Sequence, residues 1–325
     1  MNAEIISIGN ELLNGVTQNT NATWISNQLL QCGIHTRRIC TIRDESNDIQ
    51  RAVSDSLKNA DIVLITGGSS GIGKSIGEFL YAKGFHVYGT SRNPDNYDKS
   101  IFPLVALDVT DIISINSCIN EVIAKVGRID VLINNAGAGI TGPIEEIPEM
   151  EIKRNFETNF FGPINVIKSV LPQMRKQNLG LIINITSIAG YMGLPYRGIY
   201  SASKGALELI TEAFRMETKG FNINMTNVAP GDFATNIAAG RYHAPVVKGS
   251  PYEVSYKNTL TLMDEHVNSG KDPNIMAQII FKIINTKNPK VHYKVGEFMQ
   301  KFSIVLKRIL PDKIYEKMLM NHFKL

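Results

Sequence analysis

The sequence predicts an α/β fold: a doubly wound parallel sheet with helices on both faces, preceded by an incomplete α/β appendage. Three observations predict it. From residue 61 onward, apolar runs of strand length alternate with segments of helical period, the pattern of a parallel sheet covered by crossover helices. Residues 66–73, Thr-Gly-Gly-Ser-Ser-Gly-Ile-Gly, lie between one such strand and one such helix. The first sixty residues carry strand–helix–strand–helix signals, too few strands for a stable sheet of their own.

Residues 4–8 are a short apolar strand. Thr20 or Asn21 can cap a helix that carries Trp24, Ile25, Leu29 and Leu30, and residues 34–42 alternate as a strand. Ser46 can cap a helix with Ile49, Val53 and Leu57 on one face, at i, i+4 and i+8. Residues 61–66 are a buried strand, 85–91 and 104–108 the next two, with a helix between that holds Ile76, Phe79 and Leu80 and stops at Gly84. A helix over 112–126 leads to a strand at 131–134, and one long helix over 150–174 leads to a strand at 181–186. A helix over 200–218 and a strand at 223–229 complete the alternation. Residues 236–270, punctuated by Pro245, Gly249, Pro251 and Gly270, read as a long irregular stretch of the kind that forms lids.

The chain has 325 residues, 43% hydrophobic and 20% charged, with a net charge of +4, which is a globular composition with no strong argument for nucleic acid. Cys32, Cys40 and Cys118 show no metal spacing and read as reduced thiols of a cytoplasmic protein. The six histidines show no metal spacing either, so no metal is expected. The N-terminus lacks the pattern of a secretion signal, and no apolar run reaches the ~18–20 residues of a membrane span.

The glycine run at 66–73 is a phosphate cradle. Its glycines let backbone N–H groups approach a pyrophosphate at the positive end of the following helix. Tyr200 and Lys204 stand four apart on a helix and so share a face. A phenol is a poor acid–base catalyst near neutral pH, and a neighbouring ammonium, with a positively charged nicotinamide, favours its ionised form. Ser187, just past a strand end, can hydrogen-bond a substrate oxygen and stabilise charge on a carbonyl. Taken singly, Tyr-x-x-x-Lys is more often a solvated helix pair and Ser187 a loop serine; it is their conjunction that carries chemistry. After the second strand the chain reads Ser91-Arg92-Asn93 with no acid before Asp95. An acid there would hold an NAD ribose, whereas Arg92, helped by Ser70 and Ser91, can pair with a 2′-phosphate. NADP(H) is therefore expected over NAD(H).

These motifs, with Asp108-Val109, Asn134-Asn135-Ala136-Gly137, Asn159, Pro230-Gly231 and Thr235, resemble the short-chain dehydrogenase/reductases. The resemblance is close from 61 to about 230–235 and looser to 325. It implies a Rossmann sheet, a homodimer or homotetramer, and a reaction between an alcohol and a ketone or aldehyde. It implies Asn159, Ser187, Tyr200 and Lys204 as catalytic residues, with Asn159 holding a water in a proton relay. For the cofactor it implies Gly67, Ser69, Ser70, Gly71, Ile72, Gly73, Ser91, Arg92, Asp108, Val109, Asn135, Ala136, Gly137, Tyr200, Lys204, Pro230, Gly231, Phe233 and Thr235. Asp108 and Val109 would frame the adenine and Thr235 the carboxamide.

The front segment has its own resemblance. Residues 5–15, Thr20-Asn21-Ala22 and 61–68 are similar to the molybdopterin-binding-like domain of CinA-type proteins, with Asn10 where that family has an aspartate. That family continues after Ile-Thr-Gly-Gly with further strands, whereas this chain turns into Ser69-Ser70-Gly71-Ile72-Gly73. The expected organisation is a truncated fragment at 1–60 fused, through a stretch that suits both families, to a dehydrogenase at 61–325. A rival reading is a nucleotide- or pterin-binding module joined to a domain that only senses NADP(H).

Two regions bear on the substrate. Tyr242, Pro245, Val246, Val247, Tyr252, Val254 and Tyr256 make the lid apolar and point to an apolar substrate, while His243 and His266 read as solvated loop residues. In the tail, Phe298, Phe302, Val305, Leu306 and Ile309 share a helical side among Lys301, Lys307 and Arg308, followed past Pro311 by Ile314, Met318 and Leu319. Packing over the substrate pocket or on a subunit is the preferred reading of this basic amphipathic segment. Contact with a membrane surface is the alternative.

Overall fold

The computed structural model describes residues 2–57, 61–233, 240–268 and 270–325. The chain divides into two compact units, Met1–Asp61 and Ile62–Leu325.

In the first unit β1 (Asn2–Ile8) pairs in parallel with β2 (His35–Ile42), and α1 (Asn10–Leu13), α2 (Thr20–Gln31) and α3 (Ser46–Leu57) complete it. Asn19, rather than Thr20 or Asn21, caps α2: its side chain accepts from the Ala22 N–H and donates to Ser7 Oγ at 2.9 Å. A residue one place earlier, still outside the helical backbone, reaches the orphan N–H of the first turn. Among the described residues of this unit the buried apolar side chains are Ile5 and Ala22, and Trp24 is 65% exposed. The expected partners Val53 and Leu57 lie outside the described side chains.

The second unit is built on β3 (Ile62–Ile65), α4 (Gly71–Ala82), β4 (His86–Ser91), β5 (Leu104–Ala106), α5 (Ile112–Val126), β6 (Val131–Asn134) and β7 (Ile140–Thr141). It continues through α6 (Glu149–Phe156), α7 (Gly162–Gln177), β8 (Gly180–Ile185), α8 (Gly198–Glu217), β9 (Ile223–Pro230) and β10 (Tyr242–His243). It ends with α9 (Glu253–Asn268), α10 (Asn274–Ile284), β11 (His292–Val295), α11 (Phe298–Ile309) and α12 (Asp312–Phe323). Seven parallel strands run in the order β11-β9-β8-β6-β3-β4-β5.

Alternation along the strands sets the two faces. Ile62 and Leu64 join a core with Ile119, Val166 and Met225 on one side; Val63 and Ile65 join Ile76, Leu80 and Ile280 on the other. Strand β3 has β4 on one side and β6 on the other, so the chain reverses direction across the sheet there. The crevice at the carboxyl ends of β3 and β6 is where such sheets bind ligands.

Three expectations change. The long helix expected over 150–174 is two helices, α6 and α7, joined by a π-helical turn at Glu157–Phe161. Pro163 has no N–H to give, and widening the ladder just before it absorbs the missing bond. The stretch expected to be irregular over 236–270 contains α9, whose Tyr256 and Met263 are buried at helical spacing; residues 234–239 lie outside the described residues. Strand β11 and helix α10 were not foreseen, and β11 adds the seventh strand at the edge.

Because β1 pairs with β2 and β3 is flanked by β4 and β6, the seven-stranded sheet takes no strand from residues 2–58, and deleting them should leave NADPH binding and turnover within about two-fold of the full chain, the ~0.5 kcal/mol range of changes remote from core and site. Titration of NADPH into both lengths checks this. Loss of binding in the shortened chain would make the front unit a structural layer of the second.

Candidate active site

The crevice holds a cavity of about 970 Å³ lined by the glycine turn after β3, the end of β4 and the loop after β6. Gly67 takes a left-handed φ of +63°, and a Cβ on Gly73 would strike the Gly67 carbonyl. The turn is therefore closed to side chains at both points. It is pinned from β6: Thr66 Oγ1 accepts from the Asn135 and Ala136 N–H groups at 2.9 and 3.0 Å, and Asn135 Nδ2 donates to the Thr66 and Gly67 carbonyls at 3.0 and 3.1 Å. Ser70 caps α4 without a side-chain bond to its first turn, which leaves those N–H groups facing the cavity walled by Ser69, Ser70, Gly71 and Ile72. These features fit a dinucleotide.

Ser91 and Arg92, at the end of β4, also line this cavity. Burial raises the Asp108 carboxyl, but bonds from the Thr110 backbone and hydroxyl, with the charges of Arg92 and Arg154, outweigh it and hold the group below the usual range. Arg154, on α6, was not singled out in the sequence; it stands in the same cavity, and only the packing of α6 brings it there. Asp108, Val109, Asn135, Ala136, Gly137 and Pro230 line the cavity as well, whereas Gly231 and Phe233 line the neighbouring one. Thr235 lies outside the described residues.

That neighbouring cavity, of about 370 Å³, shares Tyr200, Ile72, Ile140 and Pro230 with the first. Its walls are Leu262 and Met263 of α9, Met299 and Leu306 of α11, and Met318 and Leu319 of α12, with Ser187, Arg197 and His322 among its polar groups. The apolar wall thus comes from α9, α11 and α12: Leu262 and Met263 fall within the 236–270 stretch expected to form a lid, whereas the apolar residues singled out there do not line this cavity. Val246, Val247 and Val254 are exposed, and Tyr256 packs under the Ile140–Tyr200 cluster. His243 bonds Thr141 at 3.0 Å in the β7–β10 pair, and the His266 side chain lies outside those described. Close approach of α11 is possible because Gly231 has no Cβ, which would meet Gln300.

Tyr200, Lys204 and Glu208 form one row on α8, all buried. Lys204 Nζ donates to the Ile185 carbonyl at 2.9 Å. Burial pushes its pKa down, and the charges of Tyr200 and Glu208 pull it back up. Ser187 Oγ accepts from the Ala189 N–H at 3.2 Å, so its own hydroxyl proton can be donated into the cavity it lines. Arg197 lies 5.5 Å from the Tyr200 ring centre. Asn159 is fully buried; its amide donates to the Ala138 carbonyl, Asn155 and Ser203, and its oxygen accepts from the Ala138 N–H. That side chain braces the 135–138 loop rather than reaching outward.

Glu208 takes a proton more readily than an ordinary carboxylate: burial raises it to about 7 against the bonds from Thr186 and Tyr191. Thr186 Oγ1 donates to it at 2.8 Å, and Tyr191 leads on to His292 at 3.2 Å and from there to Glu212 at 2.9 Å. The folded protein holds this proton up to about pH 7, while the unfolded chain releases it near 4.5, so stability falls as pH rises through that window. Glu208→Gln should remove up to ~3 kcal/mol of that fall between pH 4.5 and 8. Urea unfolding across the range checks it, and parallel curves for the two proteins would contradict it.

Comparisons with known proteins agree with this geometry. A family model for short chain dehydrogenases matches residues 61–245. A second, for a probable molybdopterin binding domain, matches residues 4–99 and so runs on through β3, α4 and β4 of the large sheet. The chain is 42% identical over 256 residues to a 3-ketodihydrosphingosine reductase of Bacteroides thetaiotaomicron, covering 78% of this chain and 95% of that protein. It is 29% identical over 278 residues to an NADPH-dependent 3-dehydrocapnine reductase of Ornithobacterium rhinotracheale, covering 80% and 96%. A crystal structure of a short-chain dehydrogenase from Streptomyces avermitilis superposes with a TM-score of 0.68 at 30% identity, covering 82% of this chain and 96% of that one. The chain belongs to the short-chain dehydrogenases and is an oxidoreductase that acts between CH–OH and carbonyl groups.

Proposed function

We propose that this chain is an NADP(H)-dependent oxidoreductase that interconverts an alcohol and a ketone on a substrate with a long apolar chain. The observation that carries this reading is the meeting of a dinucleotide-sized cavity and an apolar cavity at one buried residue, Tyr200. The names of the two reductases above support it, since both take a 3-keto or 3-dehydro compound and one is NADPH-dependent. A 3-keto long-chain base of that kind suits the apolar wall of α9, α11 and α12.

Bound NADPH supplies the hydride. Tyr200 gives its hydroxyl proton to the carbonyl oxygen on reduction and takes it back on oxidation. Ser187 donates a second hydrogen bond to that oxygen and stabilises its developing charge. Lys204, held by the Ile185 carbonyl, favours the tyrosinate left behind. Asn159 acts as a positioning residue by holding Ala138, while Arg92 and Arg154 would receive a 2′-phosphate. Residues 67–73, 108–109 and 135–137 would hold the rest of the dinucleotide, with Pro230, which lines both cavities, at its nicotinamide end. Exposed Leu209 and Met216 on α8, with Phe161 at the π-helical turn before α7, support a homodimer or homotetramer. The rival reading, a pterin or nucleotide module beside a sensing domain, is disfavoured because the rear of the molybdopterin-domain match is committed here to β3, α4 and β4.

Tyr200→Phe removes the transferable proton and keeps the ring. Steady-state NADPH oxidation with an aliphatic ketone should drop by ~10²–10⁴-fold, as is usual for acid–base groups, with NADPH affinity unchanged. More than a tenth of the wild-type rate would overturn the assignment.

Arg92→Ala should weaken NADPH binding roughly ten- to a hundred-fold, the value of a charge-assisted hydrogen bond, and leave NADH binding near its original strength. Equal losses for both cofactors, measured by fluorescence titration, would make Arg92 structural.

A further inference from the structure

We propose that the outer face of α11 is a docking surface for a lipid bilayer with anionic headgroups, placed so that an apolar substrate passes from the bilayer into the cavity behind it. Only the identity of what enters rests on the function proposed above; the docking stands on α11 itself.

Helix α11 has two sides with different work. Ile304 is buried, and Gln300, Ser303 and Leu306 face the apolar cavity. On the opposite side Phe298, Phe302, Val305 and Ile309, at i, i+4, i+7 and i+11, form one stripe. Phe298 is 70% and Ile309 68% exposed, and the two phenyl rings stack at 5.6 Å. Two aromatic and two branched aliphatic side chains left in water on one helix face call for a cover.

The charges beside the stripe decide what covers it. Lys301 and Arg308 flank it on one edge, and between residues 290 and 325 eight Lys and Arg residues stand against three acids, Glu297, Asp312 and Glu316. Two of those acids are already paired, Glu297 with Lys271 at 3.1 Å and Asp312 with Lys307 at 2.8 Å. A second copy of the chain, packed antiparallel on α11 about a two-fold axis, would set the edge of Lys301 and Arg308 against the same edge of its partner, which repels. An anionic headgroup layer accepts them instead, while the aromatic stripe enters the zone below, as interfacial helices do. Among the described residues no helix is long and apolar enough to cross a membrane, so the contact is peripheral.

The same helix joins this surface to the site. Met299 is exposed and also lines the apolar cavity, and Met318 and Leu319 of α12 continue the wall inward. A chain drawn from the bilayer therefore meets apolar side chains along its route to Tyr200.

Vesicle co-sedimentation of the full chain tests the proposal, with phosphatidylcholine vesicles with and without phosphatidylglycerol at about 0.15 M salt. The protein should pellet with the anionic vesicles and weakly with the neutral ones. Replacing Phe298, Phe302 and Ile309 together by Ser should lower the bound fraction on the order of ten-fold or more. The charge-reversed pair Lys301→Glu and Arg308→Glu, which keeps the stripe, should abolish the preference for anionic vesicles. Both variants should oxidise NADPH with a short water-soluble ketone as the parent does; if the serine variant does not fold, the charge-reversed pair carries the test. Wild-type protein that stays in the supernatant with both vesicle types, or variants that bind as well as the parent, would overturn the proposal. So would a dimer that the serine variant dissociates in the absence of any vesicle binding, since the stripe would then belong to a second copy. Vesicle binding by a protein that reduces no ketone would leave the docking standing and remove the functional reading instead.

Discussion

A buried ammonium governs the architecture around the site. Lys204 is 4% exposed, and its close hydrogen bond is to the Ile185 carbonyl at the end of β8. Removing a charge from water is costly unless fixed dipoles and charges replace the solvent. Here the replacement comes from several elements at once: β8 supplies the carbonyl, Tyr200 and Glu208 lie one turn away on either side along α8, and Asn159 lies beside Gly137 and the ammonium. The register of α8 against β8 is thereby set, and with it the position of Tyr200 at the junction of the two cavities. The π-helical turn at Glu157–Phe161 serves the same end, since it delivers Asn155 and Asn159 together to Ala138 and Ser203.

The two cavities divide the work between sheet and appendages. The sheet builds the dinucleotide side from backbone: glycines at the turn, Thr66 and Asn135 tying β3 to β6, and N–H groups at the start of α4. Such a site depends little on side-chain identity. The apolar side is built by α9, α11 and α12, packed on through Tyr315 and Ile304. Its walls carry Met and Leu, side chains that adapt to the shape of a flexible chain. The apolar cavity thus draws most of its wall from the last third of the chain, while Tyr200 and the glycine turn lie in the part that the family model matches.

Much of this was legible in the sequence where a local rule acts alone. Residues 62–65 read as a buried strand because every one is apolar, and the row Tyr200–Lys204 follows from helical spacing. Arg92 could be read because the position after the second strand is defined by the turn that precedes it. What was missed depends on contacts distant in sequence. Arg154 enters the cofactor cavity only when α6 packs beside Asp108. Glu208 sits one turn past Lys204, but nothing local says that β9 and β11 bury it. The tail illustrates the same limit: its amphipathic period was plain, yet the side buried is that of Ile304, and the stripe of Phe298 and Phe302 faces outward. Helix α9 was hidden by Gly249 and Pro251, which lie just before its start rather than within it.

In the proposed function a hydrocarbon chain lies in the cavity of α9, α11 and α12 with its carbonyl at Tyr200. The most direct measurement is kcat/KM for NADPH oxidation across a homologous series of 3-ketones of increasing chain length. Each methylene buried against Leu262, Met299 and Leu306 should raise kcat/KM about four-fold, the equivalent of ~0.8 kcal/mol per CH₂, until the cavity is filled. A flat series, or one that falls with length, would mean that no hydrocarbon chain is bound against these helices.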